Sequence, residues 1–538
     1  MKKPDRGVVT GVVQGHPDVG IERMVVSTPG MAIHSAELES ELGFENGKIS
    51  GGLMIKEVRL PGITENNSTM VANGLYRFIE DVASDEESMM KLRKEPIRSI
   101  YFATESNPDR SRPEIEPSLL MVSSYLPKER KCDEIVEMLK RARVVPITYA
   151  CVGGVLALGE ALNDVAIGIY TSRSGSSLVI SADTSVYSDS RAKNAEGTQG
   201  AAAALMWITE NPSLASFPLD RQLHAFHGPF SDFTKYGEET PLVHSTFSKV
   251  MYVYAVAEAF EDAERNYSEK EYMDYMDFII AHVPFPKQTE YFIGFLYAHY
   301  LRRHYPEKLS EIEGRDGVGK EPLAGAKGFT DLVTRKISSF NREGAKSDSD
   351  FISMIEKDAD ISAYWNWTGA LRKQKEFSEF KKRLMIDRAL RVPSLVGNSY
   401  SASVFVSLAS LIYNVSEEKR SMNGIMIGYG SGAQAVERPL VIHASQAGSR
   451  KLVIDMGSPY YLDGKSYREL HDKWLVKGEA VRMIRRSGEA DLLHEEERFL
   501  AGARLSQGFH VRRKNSDGTG EYFYVDESGR REDIRIRV

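Results

Sequence analysis

The stretch TYACVGGVLALGEAL, residues 148–162, decides how this chain is read. A short apolar run ends in a cysteine, two glycines follow, and apolar residues then recur at three- and four-residue spacing. That pattern predicts a strand turning directly into a helix, with Cys151 at the seam. There a thiol lies over unpartnered backbone N–H groups and the positive end of the helix dipole, both of which favour thiolate. The plain alternative is a small buried hydrophobe, the usual state of a free cysteine.

Bulk properties narrow the classes open to the chain. Its 538 residues allow several domains, and 42% hydrophobic with 27% charged residues is ordinary for a soluble globular protein. Lys and Arg number 69 against 76 Asp and Glu, a net charge of −7, so no general attraction draws it to nucleic acid or anionic membrane. Two cysteines, Cys132 and Cys151, cannot build a disulfide framework or a cysteine-rich metal site, which points to a reducing cytoplasm. The opening MKKPDRGVVTGVVQGHPDVG lacks the apolar centre of a signal peptide, and the run GAAAALMWI (200–208) is far short of a membrane span. HEEER at 494–498 lacks the second histidine of H-E-x-x-H, and no other metal spacing is present. The expectation is a soluble cytoplasmic protein without a metal.

Working outward, strand-like and helix-like segments alternate, as in α/β proteins. RSIYFAT (98–104), SLVISA (177–182), AALMWI (203–208), DFIIAHV (277–283) and GIMIGYG (424–430) predict buried strands. DEIVEMLKRA (133–142), GVLALGEALNDV (154–165) and SASVFVSLASLIYNV (401–415) predict helices. Residues of about 302–395 are highly charged and read as an inserted, largely solvated helical region. The C-terminal stretch around SDGTG alternates in period two and predicts a terminal β-hairpin.

Besides Cys151, three residues stand out for chemistry, and one glycine-rich stretch invites a rival reading. Glu105 follows a strand within two residues, where ligands bind in open α/β sheets; it reads as a general base or acid, or as a surface glutamate. His282 ends an apolar run and reads as a substrate or proton partner, or as a satisfied core histidine. Asn398 precedes a helix and reads as a cap, or as an amide donor to a thioester oxygen. Gly428, Gly430 and Ala433 match the G-x-G-x-x-A dinucleotide fingerprint, but Pro439 follows too soon for the required helix, and strand–turn–strand context argues against it.

Taken in order, ATES (103–106), ACVGG (150–154), HVPF (282–285), VGNSY (396–400) and GYGSG (428–432) carry a resemblance. The chain resembles 3-hydroxy-3-methylglutaryl-CoA (HMG-CoA) synthases of the thiolase-like superfamily. Further similar stretches are SADTSVYSDSRAKNAEGTQGAAAA (181–204), PLVHSTFSKVMY (241–252) and VGIERMVVSTPG (19–30). The resemblance implies a five-layered α-β-α-β-α fold of two similar halves, with a charged helical insertion in the second. Residues 1–218 would carry Glu105 and Cys151, and 219–538 would carry His282, Asn398 and a C-terminal β extension.

It further implies that Cys151 takes the acetyl group of acetyl-CoA, Glu105 deprotonates it, and His282 orients acetoacetyl-CoA. Lys48, Tyr187, Asn194, Thr198, Ser248, Lys287, Asn398 and Ser431 match family positions for substrate contact. The implied reaction makes HMG-CoA for the mevalonate route to isoprenoids, with no cofactor beyond the CoA substrates. The implied assembly is a homodimer or higher homo-oligomer, with an acetoacetyl-CoA thiolase as a further conceivable partner. Three positions depart from the pattern: His244 stands for an aspartate, AFHGP (225–229) for a DFW-P-like stretch, and Tyr291 for a second lysine. Two rivals remain, a ketoacyl-carrier-protein synthase III type enzyme, which does not need Glu105, and a non-catalytic thiolase-binding scaffold.

Overall fold

Strands Val19–Ser27, Ser176–Thr184 and Ala201–Glu210 are buried along essentially their whole length, so both faces of their sheet require cover. The structure is a computed structural model. It describes residues 18–538 except 107–114, 127–128, 186, 188–192, 220–223, 229–231, 235–241, 267–268, 324, 343–346, 416–419, 444–450, 473, 475–489, 493–496, 498, 501–504, 515–519 and 535–538.

The strand order repeats. In the first half Ile97–Ala103 runs parallel to Ser176–Thr184, which is antiparallel to Ala201–Glu210, which is antiparallel to Val19–Ser27. In the second half Phe278–Ala281, Met422–Gly430, Gln434–Ile442 and His224–His227 follow with the same alternation of directions. Ala215–Phe217 pairs with both Val19–Ser27 and Gln434–Ile442, joining the halves edge to edge. All five strands expected from the sequence are present.

Helices Gly153–Tyr170 and Ser403–Asn414 lie between the halves and share one buried cluster with strands of both. Asn67–Ser84 and Arg130–Arg141 cover the outer face of the first half, and Ser245–Asn266 that of the second. The result is the five-layered α-β-α-β-α arrangement expected from the resemblance. The central helices approach so closely that a Cβ on Gly154 would lie 2.4 Å from the Ser401 carbonyl oxygen and 2.7 Å from the Phe405 ring. Only glycine fits there. The apolar helical stretch Ala150–Tyr170 is itself long enough to cross a membrane by composition, which the sequence reading overlooked in favour of 200–208. Most of it is buried between the sheets, the position of a core helix.

Helices between residues 306 and 389 correct the expectation of a largely solvated insertion. They deliver Leu309, Phe329, Ile355, Tyr364, Trp367 and Phe380 to the same core as Ser245–Asn266 and Pro286–His304. Their charges lie on the outer faces, and the apolar stripes at helical spacing decide the packing. The terminal hairpin forms as Gly508–Lys514 against Gly520–Val525, with Arg531–Ile534 added. Phe509 and Tyr524 pack against Tyr76 and Tyr125 on the first half's outer helices.

Candidate active site

Parallel pairing explains why Glu105 meets Cys151. Ile97–Ala103 and Arg143–Ile147 are parallel neighbours, with Ala103 opposite Ile147. Both chains therefore leave the sheet at the same end, two residues before Glu105 and four before Cys151. The Cys151 thiol donates to Glu105 Oε2 at 3.4 Å. Ala150 adopts φ 38°, a left-handed conformation, at this sharp strand-to-helix turn. Cys151 is 7% exposed and stands one residue before the Val152 N-cap end of helix Gly153–Tyr170, at the positive end of its dipole. Cys132, by contrast, is buried on helix Arg130–Arg141, where burial pushes its thiol pKa up.

The turn bearing Glu105 is held by Asp183, fully buried at the end of the next strand. Its Oδ1 accepts from Glu105 N at 2.8 Å, Thr104 Oγ1 at 2.8 Å, and Ser106 N at 3.0 Å. Its Oδ2 accepts from Ser401 N at 3.0 Å and also from the Ser401 hydroxyl. One carboxylate thus ties the Glu105 turn to the second half.

His282 follows the equivalent strand of the second half, where its N–H donates to the Ile427 carbonyl at 2.8 Å. Its Nδ1 lies 3.0 Å from Ser403 Oγ, leaving Nε2 for the pocket that His282 lines. Tyr252 donates its hydroxyl to the His282 carbonyl at 2.6 Å. Burial lowers the His282 pKa to about 3, so the imidazole is neutral near pH 7. The folded value lies below the unfolded value of about 6.5, so protonation favours the unfolded chain. The stability linked to this neutral ring is complete above pH ~6.5 and is lost as pH falls toward 3. In the folded protein, proton NMR from pH 5 to 9 should show no titration of the His282 ring. A resonance titrating near 6.5 that vanishes in His282→Asn would contradict this environment.

Asn398 is not the cap of the helix that follows: the 3-10 turn Tyr400–Ala402 and helix Ser403–Asn414 begin after Ser399 and Ala402, neither with a side-chain cap. Its Oδ1 accepts from Tyr400 N at 2.9 Å, closing the turn that opens the following helix. Its side chain also lines the pocket, where the amide nitrogen is available to a ligand. Tyr187 and Tyr400 are buried with their hydroxyls in contact. Burial, reinforced by the charge of Glu105, raises both phenols well above their ordinary pKa, so both stay protonated beside Cys151.

Cys151, His282 and Asn398 converge on one pocket of about 110 Å³. Cys151, His282, Asn398, Thr198, Ser248 and Ser431 line it. Glu105 reaches it through Cys151. Lys48 is exposed on the loop before Leu53. The Lys287 backbone N–H donates to Leu53 O at 3.1 Å, while its Nζ is drawn to Glu290 at 3.1 Å. The Asn194 side chain lies outside the described residues.

The glycine-rich GYGSG stretch proves to be the end of an antiparallel hairpin, Met422–Gly430 with Gln434–Ile442; no dinucleotide-binding helix opens there. Its glycines serve close approach, since a Cβ on Gly430 would lie 2.9 Å from the Val152 backbone nitrogen, beside Cys151.

Sequence reasoning missed Asp183, Asp232, Tyr400 and Lys249. Asp232 is fully buried and accepts from Tyr429 OH at 2.8 Å, Gly432 N at 2.8 Å and Ser248 Oγ at 3.1 Å. Burial raises its pKa. Phe233, next to Asp232, lines the pocket, whereas residues 225–228 of the AFHGP stretch do not. An acid within four residues of a strand end was the available signal for Asp183; Asp232 and Lys249 had none. At the departing positions, His244 is exposed and Tyr291 packs beneath the Arg372 guanidinium at 4.5 Å.

Comparison with known proteins places this geometry. The family model described as hydroxymethylglutaryl-coenzyme A synthase C terminal matches residues 348–458, beginning inside the segment read as an insertion. The hydroxymethylglutaryl-CoA synthase of Haloferax volcanii is 26% identical over 423 residues, 78% of this chain and 82% of the relative. That of Schizosaccharomyces pombe is 24% identical, covering 84% and 89%. Among solved structures, the curacin biosynthetic pathway HMG synthase with holo donor-ACP superposes with a TM-score of 0.64 at 16% identity, covering 94% of this chain and all of that one. PksG, an HMG-CoA synthase from Bacillus subtilis, gives 0.64 at 15% identity over 95% of this chain and all of its own. MvaS in complex with 3-hydroxy-3-methylglutaryl coenzyme A gives 0.57 at 17% identity, over 94% and 99%. Likeness along most of the chain agrees with the ordered motifs: in sequence the chain is similar to hydroxymethylglutaryl-CoA synthases, and it shares the fold of the solved HMG synthases.

Proposed function

We propose that this protein condenses acetyl-CoA with acetoacetyl-CoA and water to give HMG-CoA and free CoA, through an acetyl-Cys151 intermediate. The observation that carries the reading is the Glu105 carboxylate 3.4 Å from the sulfur of Cys151, which lines one pocket with His282 and Asn398. The Cys151 thiolate attacks the acetyl-CoA carbonyl and the CoA thiolate leaves, one thioester replacing another. N–H groups at the start of helix Gly153–Tyr170 stabilise the oxyanion. Glu105 then takes a proton from the acetyl methyl, made acidic by the adjacent thioester carbonyl. The resulting enolate attacks the ketone carbon of acetoacetyl-CoA. Neutral His282 and the Asn398 amide donate hydrogen bonds to this second substrate. Protonated Glu105 returns its proton to the new alkoxide, and water cleaves the Cys151 thioester to free the carboxylate.

A ketoacyl-carrier-protein synthase III would obtain its carbanion by decarboxylation and has no use for a carboxylate beside the thiol. The names of the relatives favour the HMG-CoA reading for the same residues. No cofactor is needed for these steps. We place the reaction in the cytoplasmic mevalonate route and the protein in a homodimer. The edge strand Arg143–Ile147 supports the latter: it is half-exposed along its length and leads directly to Cys151, so pairing with a second copy would cover it. Association with an acetoacetyl-CoA thiolase would supply the second substrate directly.

A thiol-release assay tests the function. CoA should appear in sustained turnover only when acetyl-CoA and acetoacetyl-CoA are both present, with longer 3-ketoacyl-CoA acceptors slower. Turnover with malonyl-carrier protein and none with acetoacetyl-CoA would replace this reading with the decarboxylating one.

A further inference from the structure

The steps proposed above use no residue after Asn398, yet the C-terminal part of the chain reaches the same site. Strand Tyr460–Leu462 pairs in parallel with Met31–His34, and residues 464–472 then form a helix. Two of its polar side chains, Tyr467 and His471, lie one turn apart on one face and are buried. Burying a phenol and an imidazole is costly unless each finds a partner. Here the partners belong to the surroundings of Cys151 and Asn398.

His471 Nε2 contacts the Tyr187 backbone carbonyl. A carbonyl oxygen only accepts, so this nitrogen carries the proton and donates. Tyr187 in turn packs against Cys151 and Tyr400, its hydroxyl in contact with that of Tyr400. Glu196 Oε1 lies 3.4 Å from the same His471 nitrogen and accepts from the Tyr467 hydroxyl at 2.6 Å. That hydroxyl accepts from Gln199 Nε2 at 2.7 Å. Glu196 and Gln199 are themselves buried, and between them Thr198 lines the pocket. The Thr198 carbonyl accepts from Asn398 N at 2.8 Å. One face of the C-terminal helix therefore holds the phenol beside the sulfur and, a turn away, the wall that carries Thr198 and Asn398.

We propose that His471 and Tyr467 are positioning residues for the condensation. His471 fixes Tyr187 against Cys151, and Tyr467 fixes the segment from Glu196 to Gln199 on which Thr198 and Asn398 depend. This rests on the condensation reading given above. Neither side chain is among those lining the pocket, so both act through the groups they hold.

Kinetics of the full-length wild-type protein, His471→Met, His471→Gln and Tyr467→Phe, with thermal melting of each, test this. Methionine fills the imidazole volume without a donor, glutamine restores an N–H at similar reach, and phenylalanine keeps the ring in place. His471→Met should still take up one acetyl group from acetyl-CoA. Its kcat, and exchange of the acetyl methyl protons with deuterated water, should fall about 10- to 100-fold, the cost of a misplacement near 1 Å. The KM for acetoacetyl-CoA should stay unchanged, and His471→Gln should recover most of the loss. Tyr467→Phe should instead raise that KM about tenfold and leave methyl exchange as in the wild type. Wild-type kcat and exchange in His471→Met, or no recovery in His471→Gln, overturns the role of His471; an unchanged KM in Tyr467→Phe overturns that of Tyr467. If His471→Met does not fold, Tyr467→Phe decides by the same criterion. A wild-type protein that takes up no acetyl group removes the condensation reading and this inference with it. A wild-type protein that turns over, matched by both variants, removes the positioning roles alone.

Discussion

Cys151→Ala abolishes HMG-CoA formation, with an expected loss of at least about 10⁴-fold in kcat, because covalent capture of the acetyl group has no substitute in the pocket. The expectation follows from position as much as from residue type. Both cysteines are buried, yet Cys132 sits on an amphipathic helix among apolar neighbours. Cys151 stands at a strained turn over a helix N-terminus with a carboxylate 3.4 Å away. Losing one buried sulfur costs stability only on the order of 1–2 kcal/mol, so the variant folds. Incubation with acetyl-CoA followed by mass spectrometry should find an acetyl adduct on wild-type protein, at the peptide containing Cys151, and none on the variant. Wild-type rates from Cys151→Ala would remove the proposed intermediate.

Glu105→Gln separates the two half-reactions. Glutamine keeps the shape and the backbone N–H that donates to Asp183, so the acetyl-enzyme still forms with one equivalent of CoA released. Condensation then stops, with an expected fall of about 10²–10⁴-fold, the range for removing a positioned general base. Exchange of the acetyl methyl protons with deuterated water, measured on the acetyl-enzyme, should disappear in parallel. A variant that still exchanges those protons at the wild-type rate would assign the base elsewhere.

Much of this site was legible in local sequence because its residues sit where elements begin or end. Glu105 and His282 each follow a buried strand closely, and Cys151 precedes an apolar helix; these are positions that hydrophobic periodicity marks. Asn398 was legible as a polar residue ahead of a helix, but it closes a turn to Tyr400 instead of capping that helix. The large helical region misled for a physical reason. Helices that pack with one narrow face expose most of their residues, so composition near residues 302–395 reported charge while Tyr364, Trp367 and Phe380 fill the core. Asp232 and Lys249 were invisible because nothing near them in sequence reveals which groups they face. Asp232 acquires its partners from residues 248, 429 and 432.

By itself the sequence determined the element types, the strand-to-helix seam at Cys151 and the set of reactive side chains, since these depend on periodicity and residue chemistry along a few neighbouring residues. Only the tertiary structure decided which of them meet. The parallel register of Ala103 with Ile147 brings Glu105 to the sulfur, Asp183 joins the two halves through Ser401, and the helix from Ser245 to Asn266 carries Lys249 into the pocket wall. Contacts across hundreds of residues arise from how sheets and helices stack, and no local pattern encodes that stacking.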